Sequence, residues 1–267
     1  MNHLLREKAP ITDAAWAEIE EEATRTLKHF LTARRLVDHN GLDSWDTDAA
    51  PRGRVAKLSE APEGVKARIR AVQPLVEYKA KFSLDRRELS AIDRGARDAN
   101  LDPVRDAARH LALAEDEAVF IGHESASITG ITHATTNEKL PISDNYGEYP
   151  GQVARAVALL QSIGVGGPYA VALGPRCFTG VIETTEFGGY PVLEHLRLIA
   201  GGPVLWAPAV DGAVVLSTRG DDFQLTVGQD ASIGYSDHDD DRVHLYLEES
   251  LTFQVLTPQA AVHLVYT

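Results

Sequence analysis

The last quarter of the chain, residues 206–267, constrains the fold most, because it reads as a succession of short alternating strands. Glycine and aspartate turns separate these strands, as in Asp211-Gly212 and Asp221-Asp222. Strand patterns dominate from Val204 to the end of the sequence. An antiparallel β region is therefore predicted for this part of the chain.

Helical patterns occupy the first two thirds of the chain. Thr12 or Asp13 can cap a first helix, whose apolar residues recur at three- and four-residue steps. These residues are Trp16, Ile19, Ala23, Leu27, Phe30 and Leu31. Further helices are predicted over 102–121, 152–163 and 191–200, with a strand at Tyr169–Leu173 between the last two. Helix–strand units followed by strands predict the α+β class.

Two parts of the chain allow inferences about burial and about binding partners. The acidic run Glu115-Asp116-Glu117 in the second helix is interpreted as a face turned to solvent or to an interface. Residues 40–80 are rich in glycine, proline and aspartate and contain too few apolar residues for a core of their own. This excursion is either a long mobile loop or an extended hairpin that pairs with another subunit.

Charge and composition exclude several functional classes. The net charge of −13 disfavours binding to nucleic acid or to an anionic membrane. The single cysteine, Cys177, leaves no intramolecular disulfide and is interpreted as a small, partly buried apolar residue. With neither a signal-peptide pattern nor a long apolar run, a cytoplasmic location is expected.

No motif in the sequence predicts catalysis. Asp237, Asp239, Asp241 and Glu248 have the spacing of calcium ligands, but Arg242 stands where the loop requires glycine. The cluster is interpreted instead as an acidic turn before an edge strand. Nucleophile elbows, zinc-binding histidine pairs and phosphate-binding loops are absent from the sequence. A protein without chemistry of its own, and without a bound metal, is therefore expected.

Short stretches in a fixed order along the chain resemble the encapsulins, the shell proteins of bacterial nanocompartments once described as linocin-type bacteriocins. The stretches are Ala9-Pro10-Ile11-Thr12, Ala15-Trp16-Ala17-Glu18-Ile19, Arg34-Arg35-Leu36-Val37-Asp38, Phe82-Ser83-Leu84-Asp85, Arg94-Gly95, residues 115–122, Gly167-Pro168-Tyr169, Gly189-Tyr190-Pro191 and the C-terminal strands. The resemblance implies the fold of tailed-phage major capsid proteins. It also implies a shell that assembles from copies of this chain, sixty in the simplest closed icosahedron.

The resemblance also divides the chain into segments. It implies an N-terminal helix with part of a peripheral domain at 1–42, an extension loop at 43–72, peripheral domain with a long spine helix at 73–129, an axial domain at 130–221, and C-terminal strands of the peripheral domain at 222–267. The extension loop would pair with a neighbouring subunit, so the excursion described above would find its partner through assembly.

Family members enclose a cargo enzyme, which they bind through a short C-terminal targeting peptide. The resemblance implies apolar contacts from Leu27, Phe30 and Leu31, polar contacts from Arg34 and Asp38, and an opposite wall formed by Ile233 and Tyr235. The cargo would be a dye-decolourising peroxidase or a ferritin-like protein, which ties the compartment to oxidative stress or iron storage. For Leu27, Phe30 and Leu31, ordinary core packing is the alternative interpretation.

Two further expectations concern small molecules. The loop Glu186, Phe187, Gly188 and Gly189 matches the family's five-fold pore loop, where a ring of Glu186 would favour cations. An ordinary surface turn is the alternative. Some relatives stack a flavin on a tryptophan, but Arg87 occupies that position here. No cofactor is therefore expected.

Two other functions compete with the shell interpretation. A phage-type major capsid protein would share the fold, and a secreted bacteriocin or protease would agree with the older description of relatives. The helix used for cargo binding favours an encapsulin over a phage capsid. The lack of a catalytic set and of a secretion pattern disfavours the secreted protein.

Overall fold

The structure is a computed structural model that describes residues 3–41, 45–186 and 188–267. Seven α-helices lie within these described residues. They are α1 (Asp13–Phe30), α2 (Arg86–Asp93), α3 (Asp102–Phe120), α4 (Ile131–Ala134), α5 (Tyr149–Ser162), α6 (Pro175–Glu183) and α7 (Val192–Ala200). The predicted helices at 102–121, 152–163 and 191–200 are confirmed to within a few residues. The sequence patterns did not predict α2, α4 and α6.

Fourteen strands lie within the same described residues and form four sheets. They are β1 (Asp38–Gly41), β2 (Ala49–Lys57), β3 (Arg68–Pro74), β4 (Val76–Asp85), β5 (Gly122–His123), β6 (Ile128–Thr129), β7 (Leu140–Ile142), β8 (Tyr169–Leu173), β9 (Val204–Trp206), β10 (Ala213–Ser217), β11 (Phe223–Val227), β12 (Ser232–His238), β13 (Arg242–Val255) and β14 (Ala261–Tyr266). The predicted strands after Val204 and the α+β class are confirmed.

The longest strand, β13, organises the first sheet. On one side it pairs with β4, and on the other it pairs with β12 and then with β11, whose far edge carries β1 in parallel. The acidic turn at 239–241 therefore precedes a central strand, and the prediction of an edge strand there is wrong. The edge strand is β12, on the other side of that turn.

The second sheet has the order β7-β14-β10-β8-β9 and mixes parallel with antiparallel pairs. All five residues of β8 and of β10 at its centre are buried, and all of them except Ser217 are apolar or aromatic. The C-terminal strand β14 pairs here, although the resemblance groups it with the peripheral domain. The proposed domain bounds remain a prediction.

Two hydrophobic cores share α3 and β13. One lies between α1, the first half of α3, β4, β12 and the first half of β13. The other surrounds the second sheet and takes in the second halves of α3 and β13. Because both long elements contribute to both cores, α1 is fixed relative to the second sheet.

Strands β2 and β3 form an antiparallel hairpin that lies outside both cores. Nearly all of its residues are exposed, among them Val55 (55%), Ile69 (56%) and Val72 (51%). The hairpin interpretation of the excursion is thus confirmed in its local structure. The first residues predicted for the extension loop, Asp43 and Ser44, lie outside the described residues.

Candidate functional site

A groove lies between α1 and the edge strand β12. Helix α1 begins at its cap Thr12, whose Oγ1 accepts a hydrogen bond from the Ala15 amide at 3.2 Å. Helical periodicity then buries Ile19 and Ala23 against the core and leaves Leu27 half-buried at the rim. Across the gap, Ile233 is buried at the start of β12. The groove has a volume of about 260 Å³ and can take apolar side chains.

The segment before α1 forms one wall of this groove. The Leu4 carbonyl oxygen accepts a hydrogen bond from the Tyr235 amide at 2.8 Å, on the free edge of β12. His3 lies 3.1 Å from a carboxylate oxygen of Glu248 and stacks on Trp45, with ring centroids 3.8 Å apart. Arg6 pairs with Glu20 of α1. The segment is therefore attached to both sides of the groove.

The structure brings only some of the predicted peptide-binding residues together. Leu27 and Ile233 line the same groove, with Tyr235 two residues further along β12. Phe30 contacts Trp206 instead, at a centroid distance of 5.5 Å, and Leu31 ends α1 beside it.

The two polar residues predicted for peptide binding are engaged within the chain. The Asp38 carboxylate accepts a hydrogen bond from the Asp221 amide at 2.6 Å, at the start of β1. Arg34 is held by the carboxylates of Glu115, Asp230 and Glu249. The assignment of all seven residues to a peptide site remains a prediction, in which Leu27 and Ile233 have the most suitable placement.

Arg34 is the centre of a largely buried ion network. Its guanidinium binds both carboxylate oxygens of Glu115, with Nε–Oε1 at 2.7 Å and Nη2–Oε2 at 2.6 Å. Nη1 donates to Asp230 Oδ1 at 2.8 Å, and Nη2, which also binds Glu115, lies 3.3 Å from Glu249 Oε2. These contacts fasten the segment that follows α1 to α3 and β13.

The side chain of Asp116, next to Glu115, binds the backbone of the same segment. The carboxylate accepts hydrogen bonds from the amides of Thr32 and Ala33 at 3.0–3.1 Å. Glu115 and Asp116 are both fully buried within the chain, so the interpretation of 115–117 as a face turned to solvent or to an interface is wrong for these two residues. Of the three, only Glu117 is exposed. Glu115 lies one helical turn after the buried Leu111, so the helical periodicity already placed Glu115 on the apolar face of α3.

Burial shifts the protonation of this network. Desolvation raises the pKa of Asp116 to about 7, against the lowering effect of the two backbone amides. Desolvation and the nearby Glu115 raise the pKa of Glu249 well above its ordinary value. Its Oε1 atom has no hydrogen-bond partner among the described residues. The buried carboxylates of Asp116 and Glu249 therefore take up protons at a higher pH than exposed carboxylates do.

The predicted pore loop begins at Glu186, between α6 and α7. Both carboxylate oxygens of Glu186 lie 3.0 Å from Nδ1 of His195 on α7. Gly188 and Gly189 both have positive φ, +96° and +81°, which favours glycine at these positions. Phe187 lies outside the described residues. The pore assignment remains a prediction, and Glu186 has a cationic partner whenever His195 is protonated.

The position at which a flavin would be stacked holds Arg87 in this chain. Arg87 is highly exposed and binds Asp85 with two nitrogens, at 3.1 and 2.7 Å. A charged guanidinium tied to a carboxylate does not provide the neutral aromatic surface on which a flavin stacks, so this position does not fit that cofactor. Within residues 3–41, 45–186 and 188–267, no cluster of three potential metal ligands is present. In the same residues, no helix is long and apolar enough to cross a membrane.

The comparisons with known proteins agree over the whole chain. A family described as "Encapsulating protein for peroxidase" matches residues 1–252. The type 1 encapsulin shell protein of Rhodospirillum rubrum is 51% identical, with 99% of this chain and 96% of the relative covered. The protein of the same name from Mycobacterium tuberculosis is 44% identical, with 99% of each chain covered.

Solved structures agree on the fold. The virus-like particle from Pyrococcus furiosus superposes with a TM-score of 0.67 at 17% identity, covering 92% of this chain and 97% of that one. The capsid of Myoviridae Phage XM1 gives a TM-score of 0.55 at 11% identity, covering 89% of this chain and 92% of that one. At these identities the likeness concerns the fold alone, which is that of phage-type capsid proteins.

Proposed function

This chain belongs to the family of encapsulin shell proteins, and from that premise we propose that about sixty copies close into an icosahedral shell around a cargo enzyme. The observation that carries the proposal is the match to shell proteins over nearly the full length at 44–51% identity. The relatives are named as shell proteins, so the family is structural and not enzymatic.

The cargo would be held in the groove between α1 and β12. Its apolar lining from Leu27, Ile233 and Ala23 suits a peptide with spaced aliphatic side chains. The family description names a peroxidase as the enclosed protein. We take a dye-decolourising peroxidase as the first candidate cargo and a ferritin-like protein as the second.

Particle size tests the shell. Sedimentation of the purified chain, combined with negative-stain imaging, should give uniform hollow particles of megadalton mass. A monomer or a small oligomer at all protein concentrations would contradict the proposal. The same particles should show no flavin absorbance, because Arg87 does not fit that cofactor.

Cargo loading tests the groove. A fluorescent protein that carries the C-terminal segment of a candidate cargo is co-expressed with the shell. Substituting Leu27→Asp together with Ile233→Asp should lower the reporter captured per particle about tenfold or more, since each carboxylate enters an apolar lining.

The matched control for this experiment is Ala17→Asp. It adds a carboxylate to an exposed position of the same helix, outside the groove. Intact particles with unchanged capture by the double variant would refute the groove. Loss of particles in the double variant but not in the control would instead show a structural role for Leu27 and Ile233.

A further inference from the structure

A segment of the same chain occupies the free edge of β12. We call it the N-terminal strap, residues 3–8, which precede α1. The Tyr235 amide donates a hydrogen bond to the Leu4 carbonyl oxygen at 2.8 Å. Along an antiparallel strand the backbone groups alternate between the partner strand and the opposite edge. The strap therefore pairs with β12 at the place where an added peptide strand would pair.

The side chain of Leu4 lies in the groove between α1 and β12. It is half-buried and lines the groove together with Leu27, Ile233 and Leu247. An extended peptide with an aliphatic side chain would offer the same two groups, a carbonyl for the Tyr235 amide and an apolar side chain for the groove. Because the Tyr235 amide has one hydrogen to donate, such a peptide pairs with β12 only by displacing Leu4.

Two side chains attach the strap to the rest of the chain. Nε2 of His3 lies 3.1 Å from Oε1 of Glu248, and Arg6 pairs with Glu20 of α1. Each of the two also contacts a tryptophan ring, Trp45 for His3 and Trp16 for Arg6. The side chains of His3 and Arg6 are both 32% exposed, and ion pairs in contact with water contribute little to stability. The strap is therefore held in place by several weak contacts.

The backbone of the strap is strained at Leu5. Its φ of +51° lies in the left-handed region, which is unfavourable for a residue that carries a Cβ. Release of the strap would relieve this strain. Helix α1 does not depend on the strap, because it starts at its own cap Thr12 and buries its own apolar face in the core. The strap can therefore leave β12 while the subunit remains folded.

We propose that the N-terminal strap is a built-in competitor of the cargo peptide. Leu4 occupies the edge of β12 in the empty shell, and an extended peptide with an aliphatic side chain takes its place during loading. This inference rests on the proposed cargo function of the groove. Because the strap belongs to the same chain, its effective concentration at the groove is high, and only a peptide that binds more tightly displaces it. The strap thus sets a threshold that excludes weakly binding peptides.

Hydrogen exchange of wild-type particles tests the displacement. Particles are isolated empty, and also after co-expression with a fluorescent protein that carries the C-terminal segment of a candidate peroxidase. The amides of Lys8 and Ala9, which donate to the carbonyls of Leu5 and Arg6, report on the strap. On loading, they should lose protection in a fraction of subunits equal to the ratio of reporter to shell subunits. Loaded particles in which the strap keeps its full protection would overturn the inference.

A variant tests the competition. Leu4→Gly removes the aliphatic side chain from the groove and should release the strap. When the reporter is limiting, the fraction of it found in particles should rise about threefold to tenfold, as expected when a state that blocks most binding sites is removed. The matched control is Lys8→Gly, which adds the same backbone freedom at an exposed position outside the groove. It should capture as much reporter as the wild type does.

The remaining outcomes separate the strap from the groove. Intact Leu4→Gly particles with unchanged capture would overturn the competition, while the groove would still stand on the variant that combines Leu27→Asp with Ile233→Asp. Lower capture by intact Leu4→Gly particles would make Leu4 a part of the peptide site, which also overturns the inference. A wild type that captures no reporter would overturn the groove and the strap together. The exchange experiment needs no variant, so it decides the matter even where Leu4→Gly does not assemble.

Discussion

At the scale of single residues, buried carboxylates hold the segment that follows α1. Asp116 accepts the amides of Thr32 and Ala33, and Glu115 binds Arg34 with both oxygens. Removing Arg34 would leave two buried acids without their cation, which is typically more costly than removing a whole ion pair. These residues therefore connect the segment after α1 to α3 and β13.

The raised pKa of Asp116 predicts how stability changes with pH. Its folded pKa of about 7 exceeds the ordinary value of 3.8, so the folded state binds the proton more tightly. This contribution is fully present below about pH 4 and is lost as the pH rises through 7. Asp116→Asn keeps one oxygen that can accept both amides, and it should flatten the fall in melting temperature between pH 5 and pH 8.

Thermal unfolding of particles across that pH range measures the effect. The difference in slope corresponds to a few kcal/mol at most, because each pKa unit is worth about 1.4 kcal/mol. Asp106→Asn, an exposed position on the same helix, serves as the control. A variant whose stability falls with pH as steeply as that of the wild type would show that Asp116 is not the titrating group.

At the scale of secondary-structure elements, α1 links the core to the groove. Its buried face packs on α3 and its C-terminal turn supplies Leu27 to the groove. The helix begins at Thr12, whose side chain caps the Ala15 amide and also contacts Asp93 of the α2 region. The cap therefore determines where the helix starts and helps to fix its position.

Thr12→Ala should lower the stability by about 1 kcal/mol, the usual cost of losing a threonine cap. For a chain of this size the melting temperature should fall by roughly 2–4 °C. Thr12→Ser retains the capping oxygen and should restore most of the loss. Differential scanning calorimetry of the three proteins checks this, and an alanine variant as stable as the wild type would argue against the cap.

Helical periodicity predicted the positions of the helices better than it predicted which distant residues contact them. Glu115 falls on the same helical face as Leu111 and Val119, so its burial could be predicted from spacing, yet the neighbouring Glu117 made the run look solvated. Arg34, the cation that makes this burial possible, lies far away in the sequence. Ion pairs between distant segments leave no local pattern, and for that reason the network could not be predicted.

Prediction of the groove from the sequence meets the same limit. Leu27 and Ile233 came from a family resemblance, since nothing in their local patterns indicates that α1 and β12 lie side by side. The wall formed by His3, Leu4 and Arg6 was not anticipated at all. This wall forms because Leu4 hydrogen-bonds to the free edge of β12. That edge can be recognised only when β13 is known to pair with β12 on one side and with β4 on the other.

At the scale of the whole molecule, two cores make a rigid body and the β2–β3 hairpin projects from it. The hairpin contributes the buried Ala50 and Gln73 but no residue to either hydrophobic cluster. Folding of the subunit therefore depends on the two cores, and the hairpin is left for the contact with a neighbouring subunit that the resemblance implies.

Replacing residues 49–74 with a short flexible linker should therefore leave a folded monomer and abolish particles. Circular dichroism and a cooperative thermal transition would report the intact fold, and sedimentation would report the loss of assembly. Replacing only the exposed tip, residues 60–64, serves as the milder control. Normal particles from the full replacement would refute the role of the hairpin in assembly.

The pairing of β13 with β4 also orders events during synthesis of the chain. Arg242 lies opposite Asp85 and Leu251 opposite Val76, so most of the chain must be made before the first sheet can close. Until then the ribosome holds a chain whose hairpin is already translated but whose first sheet is still incomplete. A subunit can therefore reach its final form only after almost the whole chain has been translated.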